Sequence, residues 1–337
     1  MADVSIIVPI YNVEKYIAKC IESIKMQTFT DFVCYLISDG STDKSICIAE
    51  NETVDDKRFI IIEKENGGYG SVLEYAIGII KTEYFLVCDP DDYLDVKCLK
   101  ELVLTAKKYN LDIIAGSRTN IFENTKNQQK DSMIDFSSYR IKPNEIINKN
   151  DKQYYKFLCL NPAPHSKLYR TSLSKKIIFS KKVSYTDNML FYLSAINAKK
   201  VMYIDKYLYY YLIDRTGNSM SEKELKSLKQ HLIVFNSILD QCENTDVDFI
   251  YFRLFQSFKE MFYRYGKLGI SDEEIYSNLQ KYYCKLMHKK SFILKYYNSY
   301  TNERIVARIK DMILLSDLFG KTMFNKWLKK LGVKHEI

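Results

Sequence analysis

Residues 84–88, Tyr-Phe-Leu-Val-Cys, form an apolar run that ends abruptly on Asp89-Pro90-Asp91-Asp92. Apolar residues bounded by charge read as a buried strand. Three carboxylates at its carboxyl end repel one another, so the cluster does not serve stability. A hard divalent cation such as Mg²⁺ would make it favourable and would also bind phosphate oxygens. In an open α/β sheet, ligands sit outside the carboxyl ends of the strands. The spacing therefore suggests a metal–diphosphate site at a strand end. A solvated acidic turn with Pro90 at its corner fits the tetrapeptide equally well.

The rest of the first half repeats the strand–helix pattern. Ser5–Ile10, Val33–Ile37 and Phe59–Ile62 read as strands. Between Val13 and Met26, apolar Tyr16, Ile17, Cys20, Ile21 and Ile24 make a helical stripe. Asp43 is placed to cap a helix through Glu50, and Asn66-Gly67-Gly68-Tyr69-Gly70-Ser71 is a glycine-rich turn before another. Residues 97–109 look helical and Asp112–Ala115 extended. This repetition predicts an α/β fold with a mostly parallel sheet flanked by helices. Residues 117–153 are polar, an excursion with an edge hairpin or loop. Helices are expected near 152–159 and 186–197, with a strand at Val201–Ile204. From Glu222 onward only helical stripes appear, so a helical C-terminal region over 221–337 follows a first domain over 1–220.

Charge separates the chain further. Residues 281–337 hold 13 Lys+Arg and 4 Asp+Glu, or +9, against −1 for residues 1–280. On a helix, Met323, Phe324, Trp327, Leu328 and Leu331 would share one face, with Lys321, Lys326, Lys329 and Lys330 around it. Such a helix suits an anionic membrane surface at the inner face of the membrane. Packing on the helical region or on a second subunit explains it equally. The eight cysteines are scattered without a C-x-x-C pair and read as reduced thiols of a cytoplasmic protein. The start of the chain does not look like a signal peptide, and no apolar run is long enough to span a bilayer. P-loop, dinucleotide and zinc-protease motifs are absent, and only the tail favours nucleic acid, so no nucleic-acid partner is expected.

Four segments in order, each after a predicted strand, resemble the nucleotide-binding half of a family 2 glycosyltransferase of the kind that builds bacterial surface polysaccharides. They are Val8-Pro9-Ile10-Tyr11-Asn12 with Glu14, Ser38-Asp39-Gly40-Ser41-Thr42-Asp43, Asn66-Gly67-Gly68 with Ser71, and Asp89-Pro90-Asp91-Asp92. Tyr185-Thr186-Asp187 and Tyr209-Tyr210-Tyr211 with Arg215 and Ser219 match more weakly. The resemblance covers roughly residues 4–220. It implies a GT-A-type fold, a nucleotide-sugar donor with a UDP moiety, and Mn²⁺ or Mg²⁺. Pro9 and Tyr11 would offer main-chain groups and an aromatic surface to the base, Asn12 and Glu14 would also bind the nucleotide, and Asp39 would accept the uracil N–H. Gly67-Gly68, flanked by Asn66 and Ser71, would let the sugar nucleotide lie against the chain. Asp91 would coordinate the metal, Asp89 would reach metal or ribose, and Asp92 stays ambiguous. Asp187, at a helix start whose dipole should lower its pKa slightly, would be the general base of an inverting transfer. The family often has Glu where Thr186 stands. Arg215 and Ser219 are candidates for holding the diphosphate. His165 and Lys167 are candidates for the acceptor side, with His165 also a metal-side candidate and a packed histidine as its plain alternative.

The implied acceptor is a growing polysaccharide, a teichoic-acid-like polymer or a lipid-linked oligosaccharide. A nucleotidyltransferase is a second enzyme reading, although residues 9–16 offer only Lys15 for a triphosphate. A non-catalytic scaffold on the same fold is the third.

Overall fold

The computed structural model describes residues 2–123, 127–133, 141–213, 224–243, 245–269 and 272–300. Arg215, Ser219 and the helix expected over 319–331 fall outside these residues. The chain divides into two compact units, residues 1–220 and 221–337.

The first unit is an α/β layer structure. In chain order it contains β1 (Val4–Ile10), α1 (Ile17–Lys25), β2 (Phe32–Asp39), α2 (Ser45–Thr53), β3 (Phe59–Lys64), α3 (Tyr69–Ile79), β4 (Tyr84–Val87), β5 (Tyr93–Leu94), α4 (Cys98–Tyr109), β6 (Ile113–Phe122), β7 (Gln128–Asp131), β8 (Ile147–Asn148), α5 (Tyr154–Leu158), β9 (Lys167–Arg170), α6 (Thr171–Ser174), α7 (Asp187–Ala195) and β10 (Lys200–Ile213). Their sheet runs β3-β2-β1-β4-β9-β6-β10-β5, with β7 on β6 and β8 on β10. Pairing is parallel across β3-β2-β1-β4 and between β6 and β10. β9 enters antiparallel between β4 and β6. The expected α/β class with flanking helices is present, and the sheet is mixed.

Every residue of β1 is buried, as a strand covered on both faces requires. The spacing of Ile17, Cys20, Ile21 and Ile24 places all four in the core, where they join Ile6, Val8, Leu36, Leu86 and Leu102. The order of β1, β2 and β3 on one side and β4 on the other makes a switch point. The carboxyl ends of β1, β2 and β4 open there onto one crevice.

Three expectations change. β6 continues to Phe122, into the polar stretch, where β7 pairs with it as an edge hairpin. β9 was not legible, because Lys167 and Arg170 bound a run of only four residues. β10 does not stop at Ile204. It runs to Ile213 with register shifts between Tyr203 and Tyr209, so the three tyrosines lie on the strand.

The second unit contains α8 (Glu224–Gln241), α9 (Phe249–Leu268), α10 (Glu273–Met287) and α11 (Lys290–Tyr300). This is the expected helical region. Asp272 caps α10 by accepting from the Ile275 amide at 3.1 Å. Phe255, Phe258, Phe262 and Tyr282 are fully buried within the unit. Among the described residues no helix is long and apolar enough to cross a membrane.

Candidate active site

The first two loops of the crevice bind each other. Asn12 adopts a left-handed conformation, φ 51°, which Asn tolerates better than most residues. Its Oδ1 accepts from the Thr42 amide at 2.9 Å. Glu14 Oε2 accepts from the Lys44 amide, and Asp43 accepts from the Glu14 amide, both at 3.0 Å. Asp43 also takes the Ser45 amide at the start of α2, close to its expected capping role. Asn12 and Glu14 therefore brace the loops. Pro9 is buried in β1, opposite Ile37. Pairing of β1 with β4 ends at Ile7, so the strand tolerates a residue without an N–H there. Tyr11, 52% exposed, is the aromatic surface left open to a ligand.

Asp39 is 3% exposed at the end of β2. Its Oδ1 accepts from Lys64 Nζ at 2.6 Å and from the Gly67 amide at 2.9 Å. Its Oδ2 accepts from the Gly68 amide at 2.7 Å, and its backbone carbonyl takes Asn66 Nδ2 at 2.9 Å. One carboxylate thus organises the whole glycine-rich turn ahead of α3. The motif suggests a different reason for these glycines, the close approach of a ligand. In the structure the chain itself approaches. Gly68 has φ +83°, and a Cβ there would lie 2.7 Å from the Lys182 amide nitrogen. A Cβ on Gly70 would lie 2.5 Å from the Ser180 carbonyl. The Lys182 amide donates to Gly67 O at 2.8 Å. The segment before α7 is clamped onto the turn, and at Gly67 the tight neighbour is Ser71 Oγ, 2.4 Å from the same hypothetical Cβ.

The acidic turn is held from three sides. The Asp89 amide donates to Tyr209 Oη at 2.9 Å, and Tyr69 Oη donates to Asp89 Oδ1 at 2.8 Å. Asp92 is 1% exposed and accepts the Leu212 amide at 2.8 Å on Oδ1. Burial, and then the charges of Asp91 and Asp89, hold the Asp92 carboxyl well above the usual range. His165 Nε2 stands 3.4 Å from both Asp89 Oδ2 and Asp92 Oδ2. Its ring stacks on Tyr209 at 4.5 Å and packs against Tyr211 at 4.7 Å. On its other side Arg118 Nη1 is 2.7 Å from Nδ1, and Arg118 Nε is 2.9 Å from Asp131 Oδ2. Burial, then the charges of Arg118 and Lys167, push the imidazole well below its ordinary value, so it is neutral. Guanidinium only donates, so Nδ1 accepts and Nε2 carries the proton.

The chemistry of this set can be tested against a divalent cation. Asp92 Oδ2 is a buried oxygen with no hydrogen-bond partner, and one atom each from Asp89, Asp92 and His165 lies within 4.8 Å of the others. Oxygen donors so arranged fit Mg²⁺ or Mn²⁺. His165 fits less well, because its proton points at the carboxylates. Asp91, half-buried, adds its charge to the same place.

Asp187 opens α7. Burial first and the charge of Asp89 second push its carboxyl up to about 6, against the Asn188 amide that stabilises its anion. This corrects the expected slight lowering: desolvation outweighs the helix dipole, which is worth at most a kcal/mol or two. Burial, and then the charges of Asp89 and Asp187, raise the Tyr69 hydroxyl well above normal. Lys167 is 1% exposed, and its ammonium donates to Ala163 O. Tyr69, Arg118, Asp131 and Tyr209 are the members that sequence reasoning missed. Of these, only Tyr209 carried a signal, as part of the tyrosine run.

Residues 5–178 match the family model described as Glycosyl transferase family 2, just over half of the chain's 337 residues. The chain belongs to this family. As a family 2 glycosyltransferase it has relatives among named bacterial glycosyltransferases. It is 26% identical over 248 residues to Glycosyltransferase GlyG of Streptococcus pneumoniae, covering 73% of this chain and 82% of GlyG. It is 30% identical over 225 residues to the poly(ribitol-phosphate) beta-glucosyltransferase of Bacillus spizizenii. That match covers 65% of this chain but spans only 33% of the relative's length. Among solved structures, S. aureus TarS 1–349 in complex with UDP-GlcNAc superposes with a TM-score of 0.65 at 22% identity, over 87% of this chain and 84% of that one. Mannosyltransferase PcManGT from Pyrobaculum calidifontis, in complex with GDP-Man and Mn²⁺, gives 0.53 at 12% identity, over 98% and 84%. These likenesses show the GT-A fold.

Proposed function

We propose that this glycosyltransferase moves a hexosyl or N-acetylhexosaminyl group from a UDP donor to an acceptor hydroxyl with inversion. The observation that carries the reading is Asp187, a cleft carboxylate poised at about 6 and sensing the charge of Asp89 across the site. A base near neutrality balances availability against proton affinity. Asp187 takes the proton of the acceptor hydroxyl as that oxygen attacks the anomeric carbon, and the nucleoside diphosphate departs from the opposite face. The helix start holds the carboxylate in place.

The nucleotide lies in the crevice formed by the ends of β1, β2 and β4. Tyr11 offers its exposed face to the base. Asp39 keeps one lone-pair direction for the uracil N–H, after the three donors it already accepts. Asn12, Glu14, Asn66, Gly67, Gly68 and Ser71 shape the walls. Asp89 and Asp91 would hold Mg²⁺ or Mn²⁺, an ion that would supply positive charge to the diphosphate, and Asp92 supports them from behind. Tyr69 keeps Asp89 oriented. Arg215 and Ser219 are the candidates for further diphosphate contacts. The UDP-GlcNAc bound in the TarS relative favours a UDP-sugar donor, and the poly(ribitol-phosphate) enzymes among the relatives favour a surface-polymer acceptor.

Calorimetry with UDP, with and without Mn²⁺, tests the donor site. Binding strengthened by Mn²⁺, together with release of sugar from UDP-GlcNAc or UDP-Glc, is the expected result. A protein that binds GDP or CDP in preference would overturn the uridine assignment. A non-catalytic scaffold would bind without turnover.

A further inference from the structure

Between Arg170 and Asp187 the chain carries Lys175, Lys176, Lys181 and Lys182 and no acidic residue. Ile177 and Phe179 are buried at 7% and 3%, and they pin this segment from within. The Lys182 amide bonds to Gly67 O, and Gly68 admits its backbone. The four lysines stay exposed, with Ile178 70% exposed among them. No ion pair involves these lysines among the described residues. A basic loop of fixed backbone therefore leads from the glycine-rich turn to Asp187, five residues past Lys182.

We propose that this loop is the docking surface for an acceptor polymer that carries phosphodiesters. The inference rests on Asp187 being the base, since the acceptor must reach it. Four unpaired cations with no interspersed acid favour a polyanion over a neutral glycan. A regular solvated surface mixes both signs. A phosphodiester chain lying along the loop would bring its next hydroxyl to Asp187. The donor diphosphate is the other phosphate nearby, and the experiment separates the two.

The test uses the full chain and the triple variant Lys175→Gln/Lys176→Gln/Lys181→Gln. Lys182 is kept because its backbone is part of the clamp. Binding of fluorescent poly(ribitol phosphate) is followed by anisotropy across a salt series, with neutral dextran and phosphatidylserine vesicles as comparators and UDP calorimetry in parallel. The wild type should bind the phosphate polymer and not dextran. The variant should lose about tenfold or more in affinity, with a log–log salt slope shallower by roughly two, about 0.7 per lost contact on a flexible polyanion. The corresponding triple Arg variant should restore binding, which excludes misfolding as the cause. Unchanged polymer affinity in the Gln variant would overturn the proposal. So would a parallel loss of UDP affinity, which would give the lysines to the donor, or a lysine dependence seen with vesicles and not with polymer. If the wild type failed to bind UDP, the donor assignment would fall, while the polymer comparison would still decide the loop.

Discussion

Arg118 Nη1 lies 2.7 Å from His165 Nδ1, and this contact decides which nitrogen of the ring faces the acidic turn with a proton. A histidine beside two aspartates invites reading as a metal ligand. Here its second nitrogen is already an acceptor, so the ring presents N–H to Asp89 and Asp92. That N–H steadies the carboxylates, and a divalent cation at this turn would rest on oxygen donors.

His165→Gln keeps an amide N–H on that side. Its Mn²⁺ affinity, read by electron paramagnetic resonance titration, should stay within about threefold of wild type, under one kcal/mol. Asp89→Asn should weaken Mn²⁺ binding by far more. A collapse of affinity in His165→Gln would make the ring a ligand after all. Nitrogen NMR of the wild type should show His165 protonated on Nε2.

Asp187→Asn should lower transfer by ~10²–10⁴-fold with UDP affinity unchanged. In the wild type, kcat/KM should fall on the acid side with a limb near 6, where the carboxylate takes up its proton. Loss of UDP binding in the variant would assign Asp187 to the nucleotide.

The same shift has a sign in stability. The folded value of Asp187 lies above its unfolded 3.8. Its protonated form therefore favours the fold below about 4, and that contribution disappears as pH rises through about 6. At pH 8 the anion strains the site, so Asp187→Asn should raise stability there by about 1–3 kcal/mol and do little at pH 4. Thermal melts at both values check this, and equal gains at each would contradict it.

Asp39→Asn replaces a carboxylate that accepts from three donors with one oxygen and an NH₂ group. One turn amide or Lys64 then faces a donor. Stability should drop by about 1–3 kcal/mol, in addition to weaker UDP binding. Urea unfolding measures the first effect. An unchanged midpoint would mean that Asp39 serves the ligand alone.

Gly68→Ala places a Cβ 2.7 Å from the Lys182 amide nitrogen at φ +83°. The expected cost is about 1–3 kcal/mol, read as a lower melting temperature. A melting temperature equal to wild type would show that the 180–182 clamp gives way freely.

The strands β1 and β4 were legible because burial on both faces turns each into an unbroken apolar run, and β2 and the edge strand β3 because they keep short apolar runs although they are less buried. The loops at their carboxyl ends were legible as motifs. What the motifs do was less so. Asp39 reads as a ligand acceptor, and it also ties down Gly67 and Gly68. The glycines read as room for a nucleotide, and they admit Lys182. These functions depend on partners far away in sequence: His165 meets Arg118 across 47 residues. Arg118 lies in a stretch whose polarity suggests an excursion, so nothing in its neighbours announces a buried role. The extension of β10 was hidden by Asp205-Lys206, which break the apolar pattern at a register shift.

Two bonds of the acidic turn, Asp89 to Tyr209 and Asp92 to Leu212, each span 120 residues. The family segment ends at residue 178, before either partner. During synthesis, the motif-bearing portion leaves the ribosome well ahead of the strand that braces its acids. The nascent chain can pair β1 with β2 and β4 early, but it must close a long loop before the turn is set, and such non-local closure is slow. Nucleotide binding should thus arrive late in biogenesis, and the motif-bearing first half, excised by itself, should not make a working donor site.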